Sequence, residues 1–159
     1  MQIKRANNQD LEKISQIASE NFSGLRDVKD ARQWVTCNFS AFPRMQYFVA
    51  EDSGSMAGYI LWLEKGGFRR ESVFELEQIA VAKKFQGQGI GTQLIEKSLM
   101  EIKNHVEARG AKLKAVEVTT GTDNGAQKLY KKTLGANPEC VIKDLFRGDE
   151  VIMIARFSI

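Results

Sequence analysis

Between residues 86 and 92 the chain reads Gln86-Gly87-Gln88-Gly89-Ile90-Gly91-Thr92, with glycine at three alternate positions. Before it runs an extended apolar segment, Ser72 to Ala82, ending in Gln78-Ile79-Ala80-Val81-Ala82. After it Ile90, Leu94, Ile95, Leu99, Ile102 and Val106 recur at helical spacing up to Gly110, a residue suited to close a helix. A central strand must therefore pass into a long helix through a loop with little side-chain cover. The start of a helix carries N–H groups without intrahelical acceptors and a partial positive charge, and glycine lets an anion approach them closely. A phosphate is the obvious ligand, and a tight strand-to-helix turn is the alternative. Two nucleotide patterns fail. A P-loop requires Gly-Lys-Ser/Thr, but Thr92 follows Gly91 with no lysine in the loop. A dinucleotide fingerprint requires G-x-G-x-x-G, but the third glycine site after Gly87 and Gly89 holds Thr92.

The remaining pattern surrounds this unit with strands and helices. A strand at Gln2 to Arg5 precedes a helix from about Gln9 to Phe22, capped by Asn8, and a second helix covers about Val28 to Phe42, ahead of Pro43. Tyr47 to Asp52 and Met56 to Glu64 form a hairpin across Ser53-Gly54-Ser55. Beyond the long helix come a strand at Lys112 to Thr119 and a helix from about Asp123 to Leu134. Two closing strands, Glu139 to Phe146 and Glu150 to Phe157, join across Arg147-Gly148-Asp149. This order implies a mixed α/β fold of the α+β type, with helices on both faces of the sheet and not a doubly wound topology.

The 159 residues suit a single domain spanning 1–159. No apolar run approaches the roughly 20 residues that cross a bilayer, and no secretion-type leader opens the chain, so a cytoplasmic protein without membrane contact is expected. The 23 basic and 20 acidic residues are scattered, which argues against nucleic acid as a partner. Cys37 and Cys140 lie far apart with one histidine, His105, in the chain, so reduced cysteines and no metal site are expected.

Ile79-Ala80-Val81 followed by Gln86-x-x-Gly89-x-Gly91 resembles the strand and Gln/Arg-x-x-Gly-x-Gly/Ala loop of the GNAT superfamily of N-acetyltransferases, and the element order agrees over nearly the whole chain. The resemblance implies a three-layer α/β/α fold whose mostly antiparallel sheet is splayed at its centre to admit acetyl-CoA. Backbone groups of Ile79, Ala80 and Val81 would hold the pantetheine arm and acetyl carbonyl. Gln86 and the amides of Gly87, Gln88, Gly89, Ile90, Gly91 and Thr92 would hold the pyrophosphate. A second match, to Asn-x-x-Ala-x-x-Leu-Tyr, falls on Asp123 to Tyr130, with Asp123 in the asparagine position and Asn124 one residue later. Either could meet the cofactor, or Asp123 could cap the helix.

An alkylammonium must lose a proton before it attacks a thioester, so the implied reaction calls for a base. Strand alternation puts Glu75 and Glu77 on one face unless a bulge intervenes, with Glu75 ranked first. The alternative for both is a surface ion pair, and ordered water can replace either. The resemblance makes Tyr130 the acid for the departing thiolate, and Lys128, Lys131 and Lys132 are within sequence reach of a 3′-phosphate. Direct attack in a ternary complex needs no metal. The acceptor is a small-molecule or peptide amine, with Trp34, Phe39, Phe42 and Phe68 as candidate pocket residues and Asp27 and Asp30 as candidate attractors of a cation. A homodimer and a non-catalytic acetyl-CoA sensor are left open.

Overall fold

Alternate side chains of a strand point to opposite faces, and that period places the helices around the third strand. A computed structural model describes residues 1–67 and 69–158. In chain order the elements are β1 (Gln2–Arg5), α1 (Leu11–Asn21), α2 (Val28–Ser40), β2 (Met45–Asp52), β3 (Ser55–Lys65), β4 (Glu71–Val81), α3 (Ile90–Ala108), β5 (Lys112–Gly121), α4 (Gln127–Leu134), β6 (Asn137–Ile142) and β7 (Glu150–Arg156). Short 3-10 turns lie at Asn8–Asp10 and Lys83–Phe85. The strands form one mixed sheet in the order β1-β2-β3-β4-β5-β7-β6, and the fold is mixed α+β. β4 and β5 run parallel, whereas β1 with β2, β5 with β7 and β6 with β7 are antiparallel. Packing divides the chain into two compact units: Met1–Trp62 with Gln78–Ser98, and Leu63–Glu77 with Leu99–Ile159.

In the first unit, Tyr59 and Leu61 of β3 join Ile14 and Ile17 of α1, Ala31 and Val35 of α2, and Tyr47 and Val49 of β2 in one buried cluster. The intervening residues of β3 face the other way. The indole Nε1 of Trp62 donates to Ser98 Oγ on α3 at 2.8 Å, and a Cβ on Gly58 would stand 3.3 Å from the Leu94 side chain. Helices α1 and α2 therefore cover one face of β3, and the first half of α3 covers the other. The entry to α1 differs from expectation: Asn7, not Asn8, is the cap. Its side chain accepts from the Gln9 N–H at 2.8 Å, while Asp10 accepts from the Asn7 N–H at 2.8 Å. Such a reciprocal box needs a side-chain acceptor three residues after the cap. Asn7 has Asp10 there, whereas Asn8 has Leu11.

In the second unit, β5 and β7 pair from Ala115 opposite Arg156 to Gly121 opposite Glu150, and β6 forms the sheet edge. Phe74, Leu76, Ile102, Val106, Val116, Val118 and Met153 are buried. Helix α3 ends as the glycine rule requires: Gly110 adopts φ +75°, and Ala111 N–H donates to Val106 O at 3.1 Å. Beside that end, the Arg109 guanidinium grips both carboxylate oxygens of Glu64 and donates to Ser72 Oγ at 2.6 Å. The Glu64 side chain is 5% exposed, so its charge depends on this partner, and Arg109 holds the carboxyl below its usual range.

Arg109→Met should cost roughly 3 kcal/mol at neutral pH, the lower end of the range for orphaning a buried charge because Arg109 itself is partly solvated. Because the Glu64 value is depressed in the folded state, its contribution is present above the unfolded carboxylate value and is lost as pH falls through the folded one. Urea unfolding across pH should therefore show the gap between wild type and Arg109→Met narrowing on acidification. The double variant Glu64→Gln/Arg109→Met should be more stable than Arg109→Met alone.

Candidate active site

The glycine loop is tied down at its start and open at its end. Ala82 N–H donates to Ala57 O at 2.9 Å and Phe85 N–H to Ala82 O at 2.8 Å, which anchors the 3-10 turn to β3. Gln86 Nε2 donates to Val81 O at 3.0 Å, folding the loop back on the end of β4, and Gln88 Nε2 donates to Lys84 O at 3.3 Å. Gly87 and Gly89 adopt φ +76° and +77°, the left-handed region that a side chain disfavours, and no atom lies within 4 Å of where their Cβ atoms would stand. The first helical bond of α3 runs from Gln93 N–H to Gly89 O at 3.2 Å. Ile90, Gly91 and Thr92 therefore hold the N–H groups that a helix start leaves without intrahelical acceptors. Open space, left-handed glycines and N–H groups at a helix start are the features that suit a loop to an anion.

One contributor was missed by the sequence reading. A Cβ on Gly58 would stand 2.6 Å from Ala80 O and 3.2 Å from Val81 Cα, so glycine lets the end of β4 lie close against β3. The available signal was a glycine inside a strand pattern, which marks close backbone approach. Nearby, a buried polar series crosses the same unit. Asn38 Nδ2 donates to Tyr47 Oη at 3.3 Å, and Tyr59 Oη donates to Gln78 Oε1 at 3.1 Å. Burial pushes the Tyr59 phenol well up, so it remains a donor.

In the second unit, registered pairing between β4 and β5 runs from Glu71 opposite Lys112 to Glu75 opposite Glu117. Among the described residues, Leu76 and Glu77 have no registered partner on β5, although β5 itself continues to Gly121 against β7. Lys65 Nζ lies 3.1 Å from Glu75 Oε2 and 2.9 Å from Glu117 Oε1. Glu77 is half-buried, and burial first, then the charge of Glu75, hold its carboxyl above the usual range. Tyr130 on α4 is buried, and burial raises its pKa, so the phenol keeps its proton through the neutral range. Lys128, Lys131 and Lys132 of the same helix are exposed.

The segment before α4 corrects the capping alternative for Asp123. Helix α4 begins at Gln127, four residues later than the pattern implies. Asn124 Oδ1 accepts from Ala126 N–H at 2.9 Å, and Gln127 Nε2 donates to Gly121 O and Thr122 O at 3.0 and 2.9 Å. These side-chain bonds satisfy a turn in place of a helical one. The Asp123 carboxylate lies over Gly121, 3.1 Å from where its Cβ would be.

The proposed acceptor residues separate. Phe39 and Phe42 line an apolar cavity of about 310 Å³ with Arg5, Met45 and Tyr47, and the Arg5 guanidinium lies 5.2 Å from the Phe42 ring centre. Trp34 is exposed on α2, and Phe68 lies outside the described residues. Asp27 and Asp30 are both engaged: Asp27 caps α2 by accepting from Asp30 N–H at 2.9 Å, and Asp30 pairs with Arg26 at 2.6 Å. Cys37 and Cys140 are free and exposed. Among the described residues, no helix is long and apolar enough to cross a membrane.

A mixed α+β sheet whose parallel strand β4 leads through an open glycine loop into a long helix is the arrangement to be compared with known proteins. Its relatives give that arrangement a chemistry. Residues 11–136 match the family described as Acetyltransferase (GNAT) family. An uncharacterised N-acetyltransferase of Archaeoglobus fulgidus is 31% identical over 111 residues, 62% of this chain and 71% of that protein. Among solved structures, the ribosomal-protein-alanine N-acetyltransferase of Brucella melitensis superposes with a TM-score of 0.70 at 22% identity, covering 99% of this chain and 100% of the other. A mutant of spermidine N-acetyltransferase from Vibrio cholerae gives 0.74 at 18%, covering 98% and 95%. The likeness to these two structures shows the fold alone. The chain belongs to the GNAT acetyltransferase family and is an acetyltransferase enzyme.

Gly58→Ala should cost about 1–3 kcal/mol, because the Cβ meets backbone that cannot rotate away. Gly125→Ala, where the space is open, should stay within about 0.5 kcal/mol of wild type. Paired urea melts check the contrast.

Proposed function

We propose that the protein transfers an acetyl group from acetyl-CoA to a primary amine by direct attack in a ternary complex. The observation that carries this reading is the open glycine loop at the start of α3, where Gly87 and Gly89 take left-handed conformations with free space above them. In this reading the N–H groups from Gly87 to Thr92 bind the pyrophosphate, with Gln86 holding the loop to Val81. Backbone groups of Ile79, Ala80 and Val81 bind the pantetheine arm and the acetyl carbonyl. Asn124 is engaged in its own turn, which leaves the Asp123 carboxylate the freer of the two to meet the cofactor, and the exposed lysines of α4 suit its 3′-phosphate.

The acceptor class draws support from the two structural neighbours, whose names give spermidine and a ribosomal-protein alanine as acceptors. Both offer a primary amine. Since Asp27 and Asp30 already have partners, they supply no special attraction for a polycation, and the carboxylates of β4 and β5 are the better source of negative potential. The chemistry asks the protein for three things: removal of a proton from the ammonium, polarisation of the thioester carbonyl, and a proton donor for the thiolate. Glu75 and Glu77 are the candidate acceptors of the first proton. Tyr130, kept protonated by burial, donates to the departing sulfur.

Tyr130→Phe should lower kcat by about 10²-fold while the Kd for acetyl-CoA, read by calorimetry, stays unchanged. Gly89→Glu should abolish acetyl-CoA binding by placing a carboxylate in the anion cradle. Unchanged turnover in the first variant removes the acid role, and unchanged affinity in the second refutes the loop assignment.

A further inference from the structure

Two carboxylates stand two residues apart on β4, and their surroundings differ. Lys65, on β3, bridges Glu75 on β4 and Glu117 on β5, at 3.1 and 2.9 Å. The three side chains are 38%, 15% and 17% exposed, so this ammonium is only partly screened by water. Glu75 and Glu117 are also the last registered pair between the two strands. Like charges directly opposite each other repel across a sheet, and the Lys65 ammonium stands between the two as their shared counter-charge. Glu77 comes next in the strand period, beyond that last pair. It is half-buried, and among the described residues it forms no ion pair.

We propose that Glu77 removes the proton from the acceptor ammonium, and that Lys65 is a positioning residue which holds Glu75 and Glu117 to each other across the strands and out of that role. The proposal rests on the reading of the protein as an acetyl-CoA-dependent N-acetyltransferase. A general base needs free lone pairs and a proton affinity near the working pH. The Glu75 carboxylate already accepts from the Lys65 ammonium at 3.1 Å, so its lone pairs are engaged. Burial and the negative charge of Glu75 raise the proton affinity of Glu77, while Lys65 acts in the opposite direction. Burial alone would lower the Lys65 pKa, but its bonds to Glu117 and Glu75 outweigh that and raise it, so Lys65 stays charged wherever the enzyme works. The charged groups around Glu77 within its unit are thus Lys65 on β3, Glu75 on its own strand and Glu117 on β5 beyond the lysine. Three carboxylates against one ammonium leave a negative surplus, which favours a cationic acceptor.

The step balances as follows. The ammonium N–H bond breaks and its proton passes to the Glu77 carboxylate. The freed amine lone pair forms the C–N bond at the thioester carbonyl, and collapse of the tetrahedral species breaks the C–S bond. The nitrogen loses its second proton as the amide forms, and the thiolate receives one through Tyr130. Glu77 then returns its proton to solvent, so each turnover yields amide, CoA thiol and one proton.

The test compares Glu77→Gln, Glu75→Gln and Lys65→Met with wild type in kcat, KM for acetyl-CoA and the pH profile of kcat/KM for an amine. Calorimetric acetyl-CoA affinity serves as the folding control. Glu77→Gln should lower kcat by about 100-fold at unchanged acetyl-CoA affinity and abolish the acid limb, whereas Glu75→Gln should lose less kcat than Glu77→Gln and keep the limb. Loss of Lys65's charge should move the acid limb up by about one pH unit, and loss of Glu75's charge should move it down. A Glu77→Gln enzyme with near-normal kcat, a kcat loss in Glu75→Gln instead, or an unmoved limb in Lys65→Met each overturns the proposal. A titration of ¹³C-labelled glutamate carboxyls by NMR supplies a readout independent of turnover. Glu77 should titrate above the usual carboxylate range and rise further in Lys65→Met, and a Glu77 that titrates at or below that range overturns the assignment. Wild-type protein that acetylates no amine refutes the underlying enzyme reading instead, a result distinct from any of these.

Discussion

Backbone N–H groups at the start of a helix need acceptors that the helix itself cannot supply. At α3 those groups belong to Ile90, Gly91 and Thr92, and the loop before them keeps the space clear, with Gly87 and Gly89 in left-handed conformations. Gln86 fixes the loop by its bond to Val81 O, and Gly58 lets the end of β4 lie close to β3. The same logic holds in the second unit. There, among the described residues, Leu76 and Glu77 have no registered partner on β5, although β5 runs on to Gly121. Hydrogen-bonding capacity left open at the start of α3 is what a ligand with a phosphate end can satisfy.

Around that constraint the charges are arranged in pairs that differ in consequence. Glu64 with Arg109 is a buried pair at the far end of α3, and its worth lies in not leaving Glu64 alone. Lys65 with Glu75 and Glu117 is a less buried triad, and its consequence is chemical: it distinguishes one strand carboxylate from its neighbour. Tyr130 and Tyr59 are both phenols raised by burial. Tyr59 donates to Gln78, whereas Tyr130 on α4 is the one proposed as the acid.

The fold was legible because its periods are strong. Ile90 to Val106 announces α3, Gly110 closes it, and the loop motif read directly as a family resemblance. Boundaries were less legible where a side chain competes with backbone. Asn7 took the cap from Asn8 because only Asp10 can complete the box, and Asn124 with Gln127 delayed α4 past Asp123. The long-range contacts were invisible for a different reason. That Lys65 reaches Glu117, 52 positions away, or that Gly58 meets Ala80, depends on strand register, which no local pattern encodes. The acceptor residues were legible only as aromatic types: Phe39 and Phe42 line one cavity, and Phe42 is as exposed as Trp34.

In the proposed reading acetyl-CoA completes the hydrogen bonding left open at the end of β4 and in the α3 loop. Backbone ¹⁵N NMR with titrated acetyl-CoA, followed by amide exchange, measures this residue by residue. The largest shifts and new exchange protection should fall at Val81 and from Gly87 to Thr92. Protection confined to other residues, with Gly87 to Thr92 unchanged at saturating acetyl-CoA, would contradict it.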